Sequence, residues 1–397
     1  MTIGRRACCA AVLLIVTSVV SRAATFPVTN TNDSGAGSLR QAIMDANAGG
    51  AGPHTVTFNI TGSGVHTIAL ASSLPVVSIP SGGLTIDGTT QPGYAGSPLI
   101  TIGCANMSFG VFSFSGSAAT VKGLSMGNCG IVVNAESGGP ITIQACHIGV
   151  DAAGTTATPN SQGISLADAT FLIGGPAASD RNILSGNQEW GIFIGSMTGG
   201  TIQNNYIGTD VTGTAALPNG TGVTIQGGLG TGVLVGGPGA GNLISGNTND
   251  GLDVGFFAVD VTIQSNLIGT DINGTAPIPN GGAGIVGSTG PTGLVIGGTG
   301  VGEGNLVSGN ATMGMNISAD GALIQGNFVG VDDSHAAALP NGGHGIQVQS
   351  TGASPNLIGT SSPGGPGGNL IAFNGGQGIA VAAGTRNTIR GNTIHDN

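Results

Sequence analysis

The segment Asn205-Tyr206-Ile207-Gly208-Thr209-Asp210 returns, slightly edited, three more times, with copies ending at Asp151, Asp271 and Asp332. The intervals between the four copies are 59, 61 and 61 residues. A loop closing in Pro-Asn follows each copy, at Pro159-Asn160, Pro218-Asn219, Pro279-Asn280 and Pro340-Asn341. Repetition at so fixed a period is the mark of a stack of like units, each unable to bury its apolar face alone. A residue present in every unit is structural first. Function is therefore sought where the pattern breaks.

Each unit contains two similar passes of the chain. One runs through Gly191-Ile192-Phe193-Ile194, Thr201-Ile202-Gln203 and Tyr206-Ile207. The other runs through Gly222-Val223-Thr224-Ile225, Val233-Leu234-Val235 and Leu243-Ile244. Aligned, the passes give the series Asp151, Asn187, Asp210, Asn247, Asp271, Asn310, Asp332, Asn374, Asn397, with steps of 36, 23, 37, 24, 39, 22, 42 and 23 residues. The short steps suit one three-sided coil of a parallel β-helix, and the long steps add a loop. The expectation is a corner ladder in which Asp alternates with Asn, which relieves repulsion between like charges. Gly191, Gly251, Gly314 and Gly378, four residues beyond an Asn of the series, are expected to turn the chain with positive φ. Ile and Val fill a narrow core while each coil pairs its backbone with its neighbours. The fold class is all-β, a solenoid with about two coils per repeat.

Composition agrees. Charged residues are 7% of the chain, against about 25% in ordinary domains. Glycine accounts for 78 of 397 residues and hydrophobic residues for 39%, so strands and tight turns are favoured and a core can form.

Residues 1–23 read as a secretory signal, with Arg5 and Arg6, an apolar stretch over residues 7–20, and Ser21-Arg22-Ala23 as the cleavage site. The apolar stretch is short for a membrane span, and no transmembrane segment is expected in the mature chain. Cleavage lowers the basic count from 8 to 5 against 18 acidic residues, a balance of −13. Five basic residues cannot neutralise a phosphate backbone, so nucleic acid is excluded as a partner. An anionic polysaccharide is expected to be repelled unless a divalent cation bridges it. Cys104, Cys129 and Cys146 remain, allowing one disulfide at most. Cys146 stands where later repeats carry Asn205, Asn266 and Asn327, which suggests packing.

Residues 24–125 are less regular than the coils of residues 126–397. Ser38-Leu39-Arg40-Gln41 fits a capping box, and Leu39, Ala42, Ile43 and Ala46 share one helical face ended by Gly49-Gly50. A short helix there would cap the open end of the solenoid. Residues 56–60, 67–70, 84–87 and 99–102 read as irregular first coils. The last coil stops on the ladder position Asn397, so a C-terminal part missing from this sequence is expected.

Thr31-Asn32-Asp33-Ser34-Gly35-Ala36-Gly37-Ser38-Leu39-Arg40-Gln41-Ala42-Ile43 resembles the opening segment of large secreted bacterial proteins with right-handed parallel β-helix repeats, their "CSLREA" signature, with Gly37 for Cys and Gln41 for Glu. The Gly-Ile-x-Ile and Thr-Ile-x-x-Asn-x-Ile pattern is similar to the repeat of the pectin-lyase-like superfamily. The resemblance implies a right-handed helix and a secreted or cell-surface location. It leaves activity open, because the superfamily includes lyases, hydrolases, epimerases and adhesins.

Lyases of this fold use Asp-bound Ca²⁺ with an Arg or Lys base, and its hydrolases use clustered Asp residues. Asp332 and Asp333, with His335 and His344 nearby, are where a repeat gains acidic and imidazole groups together. Arg390 replaces Gln144, Gln203, Gln264 and Gln325 in its repeat position. Asp332, Asp333, His335 and Arg390 are the catalytic candidates, set against a solvated loop and surface variation. Asp151, Asp210, Asp271 and Asp332 each open a Gly-containing or polar loop that could take Ca²⁺ or simply cap its own turn. No cofactor is otherwise required. Trp190, the single tryptophan, is the candidate for stacking on a sugar, or for packing on a neighbouring coil. A cleft of non-repeated acidic and basic residues is not evident in the sequence. The functional expectation is an extracellular scaffold that binds a glycan or surface partner through its stacked loops. The alternative is a polysaccharide lyase, glycoside hydrolase or epimerase.

Overall fold

The computed structural model describes residues 22–105, 109–196, 199–227, 232–350, 352 and 354–397. The expected signal segment lies outside the described residues except for Arg22 and Ala23. The chain winds as a right-handed parallel β-helix with sheets of 13, 12 and 10 strands. One turn passes through Ile141–Gln144 in the first sheet, His147–Ile148 in the second and Gln162–Leu166 in the third. Phe171–Gly174 then returns to pair in parallel with Ile141–Gln144.

The periodicity of two along each strand sends alternate side chains inward. In the first sheet Ile143, Ile173, Ile202, Val235, Ile263, Ile296, Ile324 and Ile358 stand in consecutive register, all fully buried. Full burial of each such side chain contributes about 1.5–3 kcal/mol before the entropy of ordering the chain is counted. β-branched residues suit the row because their restricted χ1 matches the pleated surface.

The corners carry two asparagine ladders. Between the first and second sheets, Asn182, Asn205, Asn242, Asn266, Asn305, Asn327, Asn369 and Asn392 each link by side-chain amide to the next at 2.8–3.0 Å. Cys146 heads this row and donates its backbone N–H to Asn182 Oδ1. Between the second and third sheets, Asn160, Asn187, Asn219, Asn247, Asn280, Asn310, Asn341, Asn374 and Asn397 do the same. The expected alternation of Asp with Asn is therefore corrected. The Asn of each Pro-Asn pair occupies the ladder, and the Asp that opens the loop stands off it. The reason is chemical: every rung both donates and accepts, and an ionised carboxylate cannot donate.

Glycine at 191, 251, 314 and 378 also serves differently from expectation. None of the four has positive φ. They belong to a column in which an added Cβ would meet the next coil's backbone, at 2.8 Å from Gly222 O for Gly191 and 2.6 Å from Gly345 O for Gly314. The positive φ falls instead on Gly149, Gly208, Gly269 and Gly330 of the repeated phrase.

At the N-terminal end the helix Leu39–Ala48 packs against the strands Ala24–Val28 and His54–Phe58. Leu39, Ala42, Ile43 and Ala46 are its buried face, as the spacing predicts. Half of the expected capping box forms. Ser38 Oγ accepts the Gln41 N–H, while the Gln41 side chain reaches forward to Asp45. Cys104 and Cys129 form the disulfide, and Cys146 is free and buried.

Candidate functional site

The four Pro-Asn loops lie between the second and third sheets and stack on one another through their backbones. Val211, Ile272 and Asp333 donate their N–H groups to Gly154, Gly213 and Gly274 of the preceding loop, at 2.9–3.0 Å. The loops cover an apolar row on the outer face of the second sheet that includes Ile183, Tyr206, Leu243 and Leu306. Each opening Asp caps its own loop. Asp271 Oδ1 accepts N–H groups from Thr275 at 2.8 Å and Ala276 at 3.0 Å, and the other three Asp residues repeat the arrangement. Burial opposes ionisation of Asp271, but the N–H groups of Ala276 and Thr275 and the Asn273 amide outweigh it and hold the carboxyl below its ordinary range. At Asp332 the Ser334 hydroxyl, then the Ala337 N–H, lowers it. Among the described residues no three His, Cys, Asp or Glu side chains are grouped to hold a metal ion.

The fourth loop does not gather its polar residues. Asp332 accepts the Ser334 hydroxyl at 2.6 Å, while the Asp333 backbone joins the loop stack. His335 takes the place of Gly154, Gly213 and Gly274, at φ 61°, and its ring lies 3.5 Å over Phe328. His344 Nδ1 accepts the Gln377 N–H. Arg390 is on the other ladder corner, where its Nε donates back to Thr360 O of the preceding coil at 3.1 Å, whereas Gln325, two coils earlier, donates forward to Gly359 O. Trp190 packs on Phe193 of its own strand, ring centroids 4.9 Å apart.

The chemistry converges elsewhere. A half-open cleft of about 530 Å³ lies at the corner between the first and second sheets, lined by Tyr94, Lys122, Gln144, His147, Asp180 and Arg181 among others. One wall is the turn after Leu84–Asp87, which carries Tyr94; the opposite wall is the short 3₁₀ turn Ala178–Asp180 leading to Arg181. The floor follows from strand register, because Asp87, Lys122 and Gln144 stand side by side at the ends of first-sheet strands. Lys122 Nζ is 3.0 Å from Asp87 Oδ2. The guanidinium of Arg181 is 4.2 Å over the Tyr206 ring and donates to Tyr206 OH, Asn204 O and Asn204 Oδ1.

His147 is 5% exposed, beneath the first loop, and its Nδ1 is 3.1 Å from Asp151 O. Burial holds its pKa below the ordinary value, against the pull of Asp151. Burial pushes the Tyr94 phenol up. Sequence reasoning missed this cleft. Lys122, the only lysine in the chain, does break the glutamine row, and His147 stands where later copies have Tyr206, Leu267 and Phe328. Those substitutions were the available signal; the 178–181 turn that brings Arg181 to them has none.

No family model matches the chain, and no curated protein matches it. Among solved structures it is similar to the A-modules of two Azotobacter vinelandii mannuronan C-5 epimerases. For AlgE6 the identity is 14% over 94% of this chain and 100% of that one, with a TM-score of 0.49. For AlgE4 the identity is 13% with the same coverage and TM-score. The Dettilon tailspike protein matches at 12% identity, over 89% of this chain and 65% of that one, with a TM-score of 0.45. At such identities the parallel β-helix rests on this chain's own strand pairing.

Proposed function

We propose that the protein is an extracellular or cell-surface β-helix that binds a glycan in the lateral cleft between Tyr94 and Arg181. One observation carries this reading. The chain has one lysine and two tyrosines, and Lys122, Tyr94 and Arg181, stacked on Tyr206, all meet at that one cleft. A sugar needs this mixture of hydrogen-bond donors and aromatic faces. The parallel coils hold Lys122 on a strand, and short turns off those coils carry Tyr94 and Arg181. The loop stack beside it, to which Val211 belongs, forms a continuation of the same binding surface. Calcium, if it acts, belongs to the loops opened by Asp151, Asp210, Asp271 and Asp332.

The alternative is a polysaccharide-active enzyme, and a specific observation favours it. His147, held neutral by burial, and Tyr94 line the cleft with the two cations, which supplies groups for proton transfer beside groups for binding. Incubation with neutral and uronic polysaccharides, with and without Ca²⁺, tests both readings. Retention without turnover supports the binding module. New unsaturated or reducing ends, or an altered uronate composition, lost in His147→Gln, would establish the enzyme. No retention of any glycan, with no turnover, would overturn both.

A further inference from the structure

We infer that Arg181 is the anchor for a carboxylate, so that the cleft selects acidic sugars over their neutral counterparts. The inference rests on the glycan reading and names the ligand class within it. The two cations in the cleft are not equivalent. Lys122 is already neutralised by Asp87 at 3.0 Å, a contact fixed by strand register. Arg181 has no carboxylate within 4 Å among the described residues, where the ion pairs are Arg40–Asp33, Lys122–Asp87 and His395–Asp396. The neighbouring Asp180 carboxylate turns back to the Ala177 N–H.

A guanidinium has five N–H donors. Arg181 commits three of them, one from Nε, one from Nη1 and one from Nη2, to Asn204 and Tyr206. One N–H on each terminal nitrogen is left without a protein acceptor among the described residues. Two coplanar donors on a held guanidinium match the two oxygens of a carboxylate. Stacking on Tyr206 and the two bonds to Asn204 fix the plane in advance, so little side-chain freedom is lost when the ligand docks. Thr89 and Gln144 already donate to Asp87 Oδ1 and Gly174 O, so their side-chain oxygens, with the Ser179 hydroxyl, are left to accept from sugar hydroxyls. The chain as a whole carries −10, so within this cleft the unpaired Arg181 guanidinium is where an anion can approach without a bridging metal.

The test is calorimetric titration of the protein in EDTA with oligogalacturonate, oligomannuronate and the carboxyl-reduced form of each. At least one acidic oligomer is expected to bind ten-fold or more tightly than its reduced form. Arg181→Gln should abolish that preference, and Arg181→Lys should keep only part of it. Equal affinity for acidic and reduced oligomers would overturn the inference while leaving glycan binding intact. Binding of neither overturns the glycan reading and the inference together. Tighter binding of a sulfated galactan than of either uronate would overturn the assignment to a carboxylate. Because acidic and reduced ligands are compared on unaltered protein, the outcome stands even where Arg181→Gln fails to fold.

Discussion

The side-chain amide of Asn187 donates to Oδ1 of Asn219 at 2.8 Å, joining a coil without a loop to a coil that carries one. The ladder thus continues unbroken across a loop insertion, which is why the inserted segments end in Asn and why the coils tolerate them.

Asn219→Ala tests the ladder. Asn219 Oδ1 also accepts the backbone N–H of Asn187, and its Nδ2 serves Leu184 O and Asn247 Oδ1. Deletion leaves buried donors and acceptors on both adjacent coils without partners, at a cost of about 2–4 kcal/mol. Denaturant midpoints should fall accordingly. Asn219→Asp should be worse at neutral pH and recover on acidification, since only a protonated carboxyl can donate. Equal midpoints for wild type and both variants would mean that the ladder follows the coils rather than holding them.

Loop stacking predicts an asymmetry between Gly213 and His335, which occupy the same loop position. At Gly213, φ is 68° and an added Cβ would lie 2.9 Å from Ile272 Cβ in the loop above. Gly213→Ala therefore meets both a left-handed backbone and a packed neighbour, and should cost about 1–3 kcal/mol. His335 lies in the fourth of the repeated loops, with its ring on Phe328. His335→Gly exchanges that stacking for relief of φ and should change stability by less than about 1 kcal/mol. Thermal melts of the two variants decide; a larger loss in His335→Gly would contradict the stacking account.

These two positions also mark what was legible in the sequence. The repeat interval and the Ile/Val rows are local signals, and they carry the coils, the sheets and the buried face of the helix. Asp and Asn in the alignment look interchangeable because both are small turn residues. Only the need for each rung to donate as well as accept separates Asp210 from Asn219. The cleft was harder to see because its parts lie far apart in the chain: Tyr94, Lys122, His147 and Arg181 come from successive coils. One three-residue 3₁₀ turn, Ala178–Asp180, sets the last of them in place, and nothing in the repeat specifies it.

The cysteines give a chemical check. Cys146 is fully buried and its thiol is pushed up to about 12 by burial, so it should not react with a thiol reagent while the protein is folded. In protein lacking residues 1–23, one thiol should appear on unfolding and three after unfolding with reduction. Reduction of Cys104–Cys129, 25 residues apart, should remove about 3 kcal/mol of stability. A reactive thiol in the native protein would contradict the burial of Cys146.

His147 sets the expected pH dependence. Its folded pKa lies below the unfolded value of 6.5, because burial disfavours the imidazolium. Between those two values the unfolded chain binds the proton more readily than the folded one, so acid favours unfolding. The contribution is therefore complete above pH 6.5 and is lost as pH falls through that value toward the lower folded pKa. Asp271 and Asp332 have folded values below the ordinary 3.8, so their contribution persists to lower pH and is lost only as pH falls through the carboxylate range. Two separate steps are expected in stability against pH, the upper one belonging to His147. His147→Gln should flatten the step that begins as pH falls through 6.5 and leave the acidic step in place. Denaturant midpoints measured from pH 3 to 8 for both proteins test this. If His147→Gln leaves the upper step unchanged, the imidazole is not held neutral by the loop above it, and His147 loses its standing as the neutral acid–base group of the cleft.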